Sequence, residues 1–116
     1  MTFDFENLNV YTKARQARKS LYAILSKEKI LDRITADQLR RASLSIILNI
    51  AEGTGKASKA DKKNFYTIAR GSVYETVAIL DILLDDNIIN LDTHQTLYLL
   101  YEEVSKMLLG LINSLK

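Results

Sequence analysis

Residues 41–75 of this chain read RASLSIILNIAEGTGKASKADKKNFYTIARGSVYE. Two apolar segments with helical spacing lie on either side of a Gly-Thr-Gly-Lys corner, and a cluster of lysines follows it. Glycine commonly ends a helix, and a serine commonly begins the next one. The stretch therefore predicts a helical hairpin with positive charge at its turn.

Helical spacing continues outward from this hairpin over most of the chain. Apolar residues recur at three- and four-residue steps, and no segment alternates with the period of two that is typical of strands. Proline is absent from the 116 residues, so nothing forces a break inside a helix. The predicted helices cover residues 8–26, 35–52, 58–85 and 92–114.

The predicted connections are short, at residues 27–34, 53–57 and 86–91. Short connections make consecutive helices antiparallel neighbours. Thr35 and Gln38 have the spacing of a capping box and mark the predicted start of the second helix. The sequence predicts an all-α, up-down-up-down antiparallel four-helix bundle that forms one domain over residues 1–116.

The third helix has different kinds of side chain around its circumference. Its predicted core face consists of Phe65, Ile68, Ala69, Ser72, Thr76, Ile79 and Leu83. A second face is basic at first and apolar further on, with Lys59, Lys62, Lys63, Tyr66, Arg70, Val73, Val77, Leu80 and Leu84. Gly71 is expected to permit close approach to the second helix, near Ala42 and Ser43.

The second helix also has an additional apolar side. Helices that are apolar on most sides need partners on most sides, and one bundle cannot supply them all. We therefore expect a homo-oligomer, with a tightly wrapped monomer as the alternative. The predicted interface residues are Leu44, Leu48, Val73, Val77, Leu80 and Leu84.

Charge is unevenly spread along the chain. Residues 1–70 carry 14 Lys/Arg and 7 Asp/Glu, a net +7, whereas residues 71–116 carry 2 and 7, a net −5. Such asymmetry indicates an anionic partner or complementary contacts between subunits. The alternative is that the two halves neutralise each other within one bundle.

Basic side chains recur on single helical faces and are the candidate functional residues. Lysine and arginine contacts to phosphate give sequence-independent affinity for nucleic acid. The interleaved Tyr22 and Tyr66 are candidates for stacking on bases. A solvated charged face is the alternative. The predicted nucleic-acid-binding residues are Arg15, Arg18, Lys19, Arg40, Arg41, Lys56, Lys59, Lys62, Lys63 and Arg70.

Catalytic and metal chemistry have little support in the sequence. There is no cysteine, and the single histidine, His94, makes no recognisable zinc site. No phosphate-binding loop, nucleophile elbow or dinucleotide fingerprint is present. We expect no enzymatic activity, catalytic residue, metal or cofactor. No membrane span is expected, and the lack of cysteine fits a cytoplasmic protein.

The segment LRRASLSIILNIAEGTGKASKADKKNFYTIARGSVYET, residues 39–76, resembles the signature of the 23S rRNA intervening-sequence protein family. That family has a pattern close to DQLRRAxxSIxxNIAEG, followed by a basic turn and ARGSxxE. The opening ENLNVYTKARQ resembles the family's N-terminal start, whereas Leu48 departs from it where a small residue is common. The matching positions are residues 37–42, Ser45, Ile46, residues 49–53, residues 69–72 and Glu75.

The resemblance implies a bacterial four-helix bundle that assembles into rings, commonly pentamers. Relatives include the accessory protein of diversity-generating retroelements, which is similar in fold and binds nucleic acid and a reverse transcriptase. The leading hypothesis is a non-enzymatic, ring-forming bundle that binds RNA or DNA through a basic surface. The alternative is a protein–protein adaptor that recruits a partner such as a polymerase or reverse transcriptase.

Overall fold

The structure is a computed structural model that describes residues 3–26 and 32–115. A short 3-10 helix, Asp4–Asn7, precedes four α-helices: α1 at Asn9–Leu25, α2 at Arg33–Thr54, α3 at Lys59–Asp85 and α4 at Leu91–Ser114. No strand occurs within these described ranges. The predicted all-α four-helix bundle is confirmed. Most of the connection predicted at residues 27–34 lies outside the described residues.

The four helices pack in cyclic order, and the described residues measure 44 × 26 × 23 Å along their principal axes. Each helix packs against its two neighbours in the order α1, α2, α3, α4, and the diagonal pairs do not meet. α2 and α3 pack most closely, whereas α1 and α2 pack most loosely. The loose pair leaves a groove along the surface between α1 and α2.

Each of the last three helices begins at a side-chain cap. Asp32, Ser58 and Asn90 accept a hydrogen bond from the backbone amide three residues later, which satisfies an amide that has no partner inside the helix. The predicted capping role of Thr35 is wrong, because Asp32 caps α2 and Thr35 donates to it. α4 likewise begins before the predicted Asp92.

The Asp32 cap has a defined pH dependence. The pKa of Asp32 is lowered chiefly because its carboxylate accepts hydrogen bonds from the amide and hydroxyl of Thr35. Because the pKa is lowered in the folded state, ionised Asp32 stabilises the helix fully at pH values above the ordinary pKa of an aspartate. That contribution fades as the pH falls through the lowered pKa.

The corner between α2 and α3 begins two residues later than predicted, because α2 ends at Thr54 and α3 begins at Lys59. α2 continues through Gly53 to Thr54, because Gly53 supports the close contact of two helices instead of ending one. A Cβ at Gly53 would lie 2.9 Å from Phe65 Cβ and 3.0 Å from a ring carbon of Tyr66. Gly71, in contrast, has no atom within 4 Å of such a Cβ, so the close approach predicted there is wrong.

The core face of α3 is rotated from the predicted one. Phe65 and Ser72 are only partly buried and Ile68 is exposed, so three predicted core residues lie outside the core. Tyr66, Val73 and Leu80 take their places, since they share a stripe with Ala69, Thr76 and Leu83 at alternating steps of three and four. The buried residues of α3 are Tyr66, Ala69, Val73, Thr76, Ile79, Leu80 and Leu83.

This rotation changes the predicted subunit interface. Val73 and Leu80 are 1% and 0% exposed within a single chain, so they have no surface to offer a second copy. Val77 and Leu84 are partly buried and pack against the same core. The interface prediction is therefore wrong for Val73 and Leu80. Leu44 and Leu48 remain exposed on α2.

Candidate nucleic-acid interface

The groove between α1 and α2 is concave and basic. Its volume is about 580 Å³. The side chains that α1 contributes to the groove are spaced three and four residues apart, so they lie on one face of the helix. α2 contributes two apolar side chains to the opposite wall. The lining residues are Thr12, Arg15, Gln16, Arg18, Lys19, Tyr22, Leu44 and Ile47, and no carboxylate is among them.

Both arginines of the groove lie over aromatic rings. The guanidinium carbon of Arg18 lies 4.3 Å from the centroid of the Tyr22 ring, and Nη2 of Arg18 donates a 2.8 Å hydrogen bond to the Tyr22 hydroxyl. Arg15 lies over Tyr11, 5.5 Å from its ring centroid. Such contacts keep part of the guanidinium's charge available while they restrict its motion.

Arg18 also extends beneath the groove toward the core. Its Nε is buried and has no hydrogen-bond partner in the described part of the chain, and the same is true of the Tyr101 hydroxyl on α4. Burial raises the pKa of Tyr101, and the positive charge of Arg18 acts in the opposite direction. Arg18 therefore brings positive charge to the inner side of the groove as well as to its surface.

Two lysines of the basic cluster after the glycine corner make contacts within the bundle. Lys62 Nζ donates a 2.7 Å hydrogen bond to the Thr54 carbonyl and so stabilises the C-terminal end of α2. Lys56 lies over the Phe65 ring at 5.1 Å. Lys59 and Lys63 are exposed at this corner.

Tyr66 is not available for base stacking, and that prediction is wrong. Its ring is buried between α2 and α3, and its hydroxyl shares a 2.8 Å hydrogen bond with Thr54 Oγ1. A buried tyrosine usually needs such a partner for its hydroxyl, and Thr54 supplies it at the corner. Tyr22 is partly exposed in the groove.

The remaining predicted cations lie elsewhere. Arg70 Nε donates to the Ser105 carbonyl on α4 at 3.3 Å, in a cleft between α3 and α4. Arg40 pairs with Asp37 at 3.1 Å, and Arg41 is exposed on α2. The ten predicted cations therefore do not form one surface. Three of them, Arg15, Arg18 and Lys19, line the groove. Four lie at the glycine corner, one lies in the α3–α4 cleft and two lie on α2.

The two oppositely charged halves of the chain form few ion pairs with each other. Lys13 and Glu103 form, at 3.4 Å, the one lysine–carboxylate or arginine–carboxylate pair that joins residues 1–70 to later residues within the described ranges. Gln38 adds a hydrogen bond to Glu75. Direct ion pairs between the two halves are therefore few in the described part of the chain.

A partly buried polar contact between α3 and α4 was missed from the sequence. His94 Nε2 donates a 2.7 Å hydrogen bond to Asp81 Oδ1, and the His94 ring stacks on Tyr98. The signal was present, because His94 continues the stripe of Leu97, Tyr101, Val104 and Leu108. Within residues 3–26 and 32–115, no three His, Asp or Glu side chains form a group that could hold a metal ion. No helix in that part of the chain is long and apolar enough to cross a membrane.

The chain is a small four-helix bundle with a groove between α1 and α2 that three cations line. The chain belongs to the 23S rRNA-intervening sequence protein family, whose model matches residues 6–110. It is similar to a crystal structure from Bacteroides thetaiotaomicron, described as a protein with unknown function from the S23 ribosomal protein family. The identity is 27% and the TM-score 0.80, over 89% of this chain and 97% of that one. A search of curated proteins gave no significant match.

Proposed function

We propose that this protein is a non-enzymatic, oligomeric four-helix bundle that binds RNA or DNA through the groove between α1 and α2. The observation that carries the proposal is the grouping of Arg15, Arg18 and Lys19 in one recess that no carboxylate lines. Phosphates are the anions that such a group of cations attracts most generally in a cell.

Two further features support a polyanionic partner. The first 70 residues carry a net charge of +7, and one ion pair joins them to later residues within the described ranges, so most of their cations are not paired with the second half and can attract a ligand. The arginines of the groove are already oriented by Tyr11 and Tyr22, so less side-chain entropy is lost when phosphate binds.

Charge reversal in the groove tests this proposal. We expect the double variant Arg15→Glu/Lys19→Glu to bind a hairpin RNA with single-stranded tails about tenfold more weakly or worse, because two phosphate contacts become repulsive. Fluorescence anisotropy at fixed salt measures this loss. Lys59→Glu/Lys63→Glu is the matched control, because it makes the same change in net charge at the corner. Equal losses in the two variants would refute the groove as the site.

Self-association is the second element of the proposal. The Ser45 and Ser72 hydroxyls share a 2.9 Å hydrogen bond that aligns α2 with α3. Because the helices are antiparallel, Leu48 and Ile68 lie side by side about one turn from that bond. They are 53% and 45% exposed, and an exposed apolar pair beside a polar bond is suited to contact with another copy. The ring, and its pentameric size, follow from the family resemblance.

Leu48→Glu should dissociate this oligomer. A buried, unpaired carboxylate is strongly unfavourable at an apolar contact, so the variant should lose its assembled form. Light scattering coupled to size exclusion measures the mass. Leu99→Glu is the control, since Leu99 on α4 is also 53% exposed. A wild-type chain with the mass of a monomer, 13.2 kDa, would disprove the assembly.

A protein–protein adaptor, recruiting for example a polymerase or reverse transcriptase, is the second candidate function. The observation that favours it is the cleft of about 440 Å³ between α3 and α4, lined by Arg70, Tyr74 and Tyr98 among others. Arginine and tyrosine are enriched at the centres of protein interfaces. A partner that stays bound after nuclease treatment, and is lost from Tyr74→Ala, would support this function.

A further inference from the structure

We propose that the groove between α1 and α2 takes an unpaired stretch of nucleic acid, with a base inserted against the Arg18–Tyr22 stack, and not the side of a duplex. This inference rests on the proposed function and names the kind of nucleic acid that the same site prefers. It is carried by the combination of cations, a fixed aromatic–guanidinium pair and an apolar wall in one recess.

The apolar wall distinguishes an unpaired strand from a duplex. Leu44 is 39% exposed and Ile47 is partly buried beside it, directly across from the basic residues of α1. The outside of a duplex presents phosphates and sugars, which gain little from leucine and isoleucine side chains. The apolar faces of an unpaired base can cover these two side chains. Sequence-independent single-strand sites combine a basic track with surfaces on which bases lie.

The Arg18–Tyr22 pair provides the surface for stacking. The Arg18 guanidinium lies over the Tyr22 ring, 4.3 Å from its centroid, and its hydrogen bond to the Tyr22 hydroxyl holds the two side chains together. Unpaired bases stack on tyrosine rings and on guanidinium planes. A pair that is already fixed in the free protein loses little conformational freedom when a base is added.

The two exposed cations of α1 are placed to contact the phosphates of a strand whose base lies on that pair. Arg15 and Lys19 are four residues apart, which separates them by about 6 Å along the helix. Both are exposed, so their charged ends can reach the phosphates of a strand in the groove. A duplex presents its phosphates and sugars to this recess, whereas an unpaired base can also contact the apolar wall.

Paired and unpaired ligands of the same sequence test the inference. Anisotropy at one salt concentration compares a labelled single strand of about twelve nucleotides with the duplex of the same length. We expect the single strand to bind about tenfold more tightly. Tyr22→Ala and Leu44→Ala should each weaken single-strand binding several-fold and leave the salt dependence and the duplex affinity unchanged, because stacking and apolar contact release no counterions.

Control variants separate stacking from loss of folding. Tyr22→Phe keeps the ring and should bind the single strand within about twofold of the wild type. Tyr74→Ala removes another exposed tyrosine that lies under an arginine, 5.2 Å from Arg70, and should have no effect. Circular dichroism checks that each variant is helical.

The possible failures can be told apart. Duplex binding as tight as single-strand binding, or unchanged affinity in Tyr22→Ala and Leu44→Ala, overturns this inference and leaves the proposed function standing. Absence of binding to either ligand at low salt overturns both. An acidic amphipathic peptide that binds the groove more tightly than any nucleic acid also overturns the inference, because the recess would then be a protein site.

Discussion

Leu80→Ala should lower the free energy of unfolding by about 2–5 kcal/mol, the range for deleting a fully buried leucine side chain. Leu80 has no exposed surface and packs in the centre of the bundle with Val73 and Leu83. The loss combines the transfer free energy of the deleted atoms with that of the cavity left behind. Urea denaturation followed by circular dichroism measures it.

Leu99→Ala, on α4 and outside the proposed contact between copies, is the matched comparison for Leu80→Ala. The same atoms are deleted from a side chain that is 53% exposed, so stability within one chain should fall by less than about 1 kcal/mol. If Leu80→Ala instead dissociated an oligomer and left the stability of the monomer unchanged, Leu80 would belong to an interface and the observed α3 core face would be wrong.

Gly53→Ala should destabilise the protein by up to about 2 kcal/mol, although alanine favours helix. Alanine at an interior helical position gains about 1 kcal/mol over glycine. The new methyl group, however, would lie 2.9 Å from Phe65 Cβ, an atom fixed by the backbone of α3. Overpacking of this kind typically costs about 1–3 kcal/mol, so steric conflict exceeds the gain in propensity. Thermal unfolding gives the sign and size of the change.

Gly71→Ala should have the opposite sign in the same experiment. A Cβ at Gly71 meets no atom within 4 Å, so only the helix propensity of up to about 1 kcal/mol remains, and it stabilises. Stabilisation by both substitutions would show that α2 and α3 are less closely packed at the corner than the structure describes.

The number, order and approximate ends of the helices could be predicted from the sequence because they depend on local patterns. The three- and four-residue spacing of apolar side chains holds through all four helices, and the short connections leave little choice of topology. The ends were less accurate. Asp32 and Asn90 compete with nearby Thr35 and Asp92 as caps, and side-chain preference alone does not separate such close candidates.

The faces of α3 could not be predicted correctly because the helix is apolar over most of its circumference. Tyr66 looks polar and available in the sequence, yet it is buried once Thr54 provides a partner for its hydroxyl. That partner lies on α2, and a contact between helices has no signal in the local pattern. The consequence was that core residues Val73 and Leu80 were assigned to a subunit interface.

The candidate site was predicted in part. Arg15, Arg18 and Lys19 have helical spacing that identifies one basic face from the sequence. The wall supplied by Leu44 and Ile47 depends on how loosely α1 and α2 pack, which is a property of the assembled bundle. The structural use of Lys62 and Arg70 likewise depends on carbonyl groups of other helices.

The salt dependence of RNA binding tests the central claim most directly. The slope of the logarithm of affinity against the logarithm of salt concentration falls by about 0.7–0.9 for each phosphate contact that is lost. Neutralising the groove with Arg15→Gln/Lys19→Gln should therefore reduce the slope by about 1–2, whereas Lys59→Gln/Lys63→Gln at the corner should change it little. A slope unchanged in the groove variant, or reduced equally in both, would contradict the assignment of the groove as the nucleic-acid site.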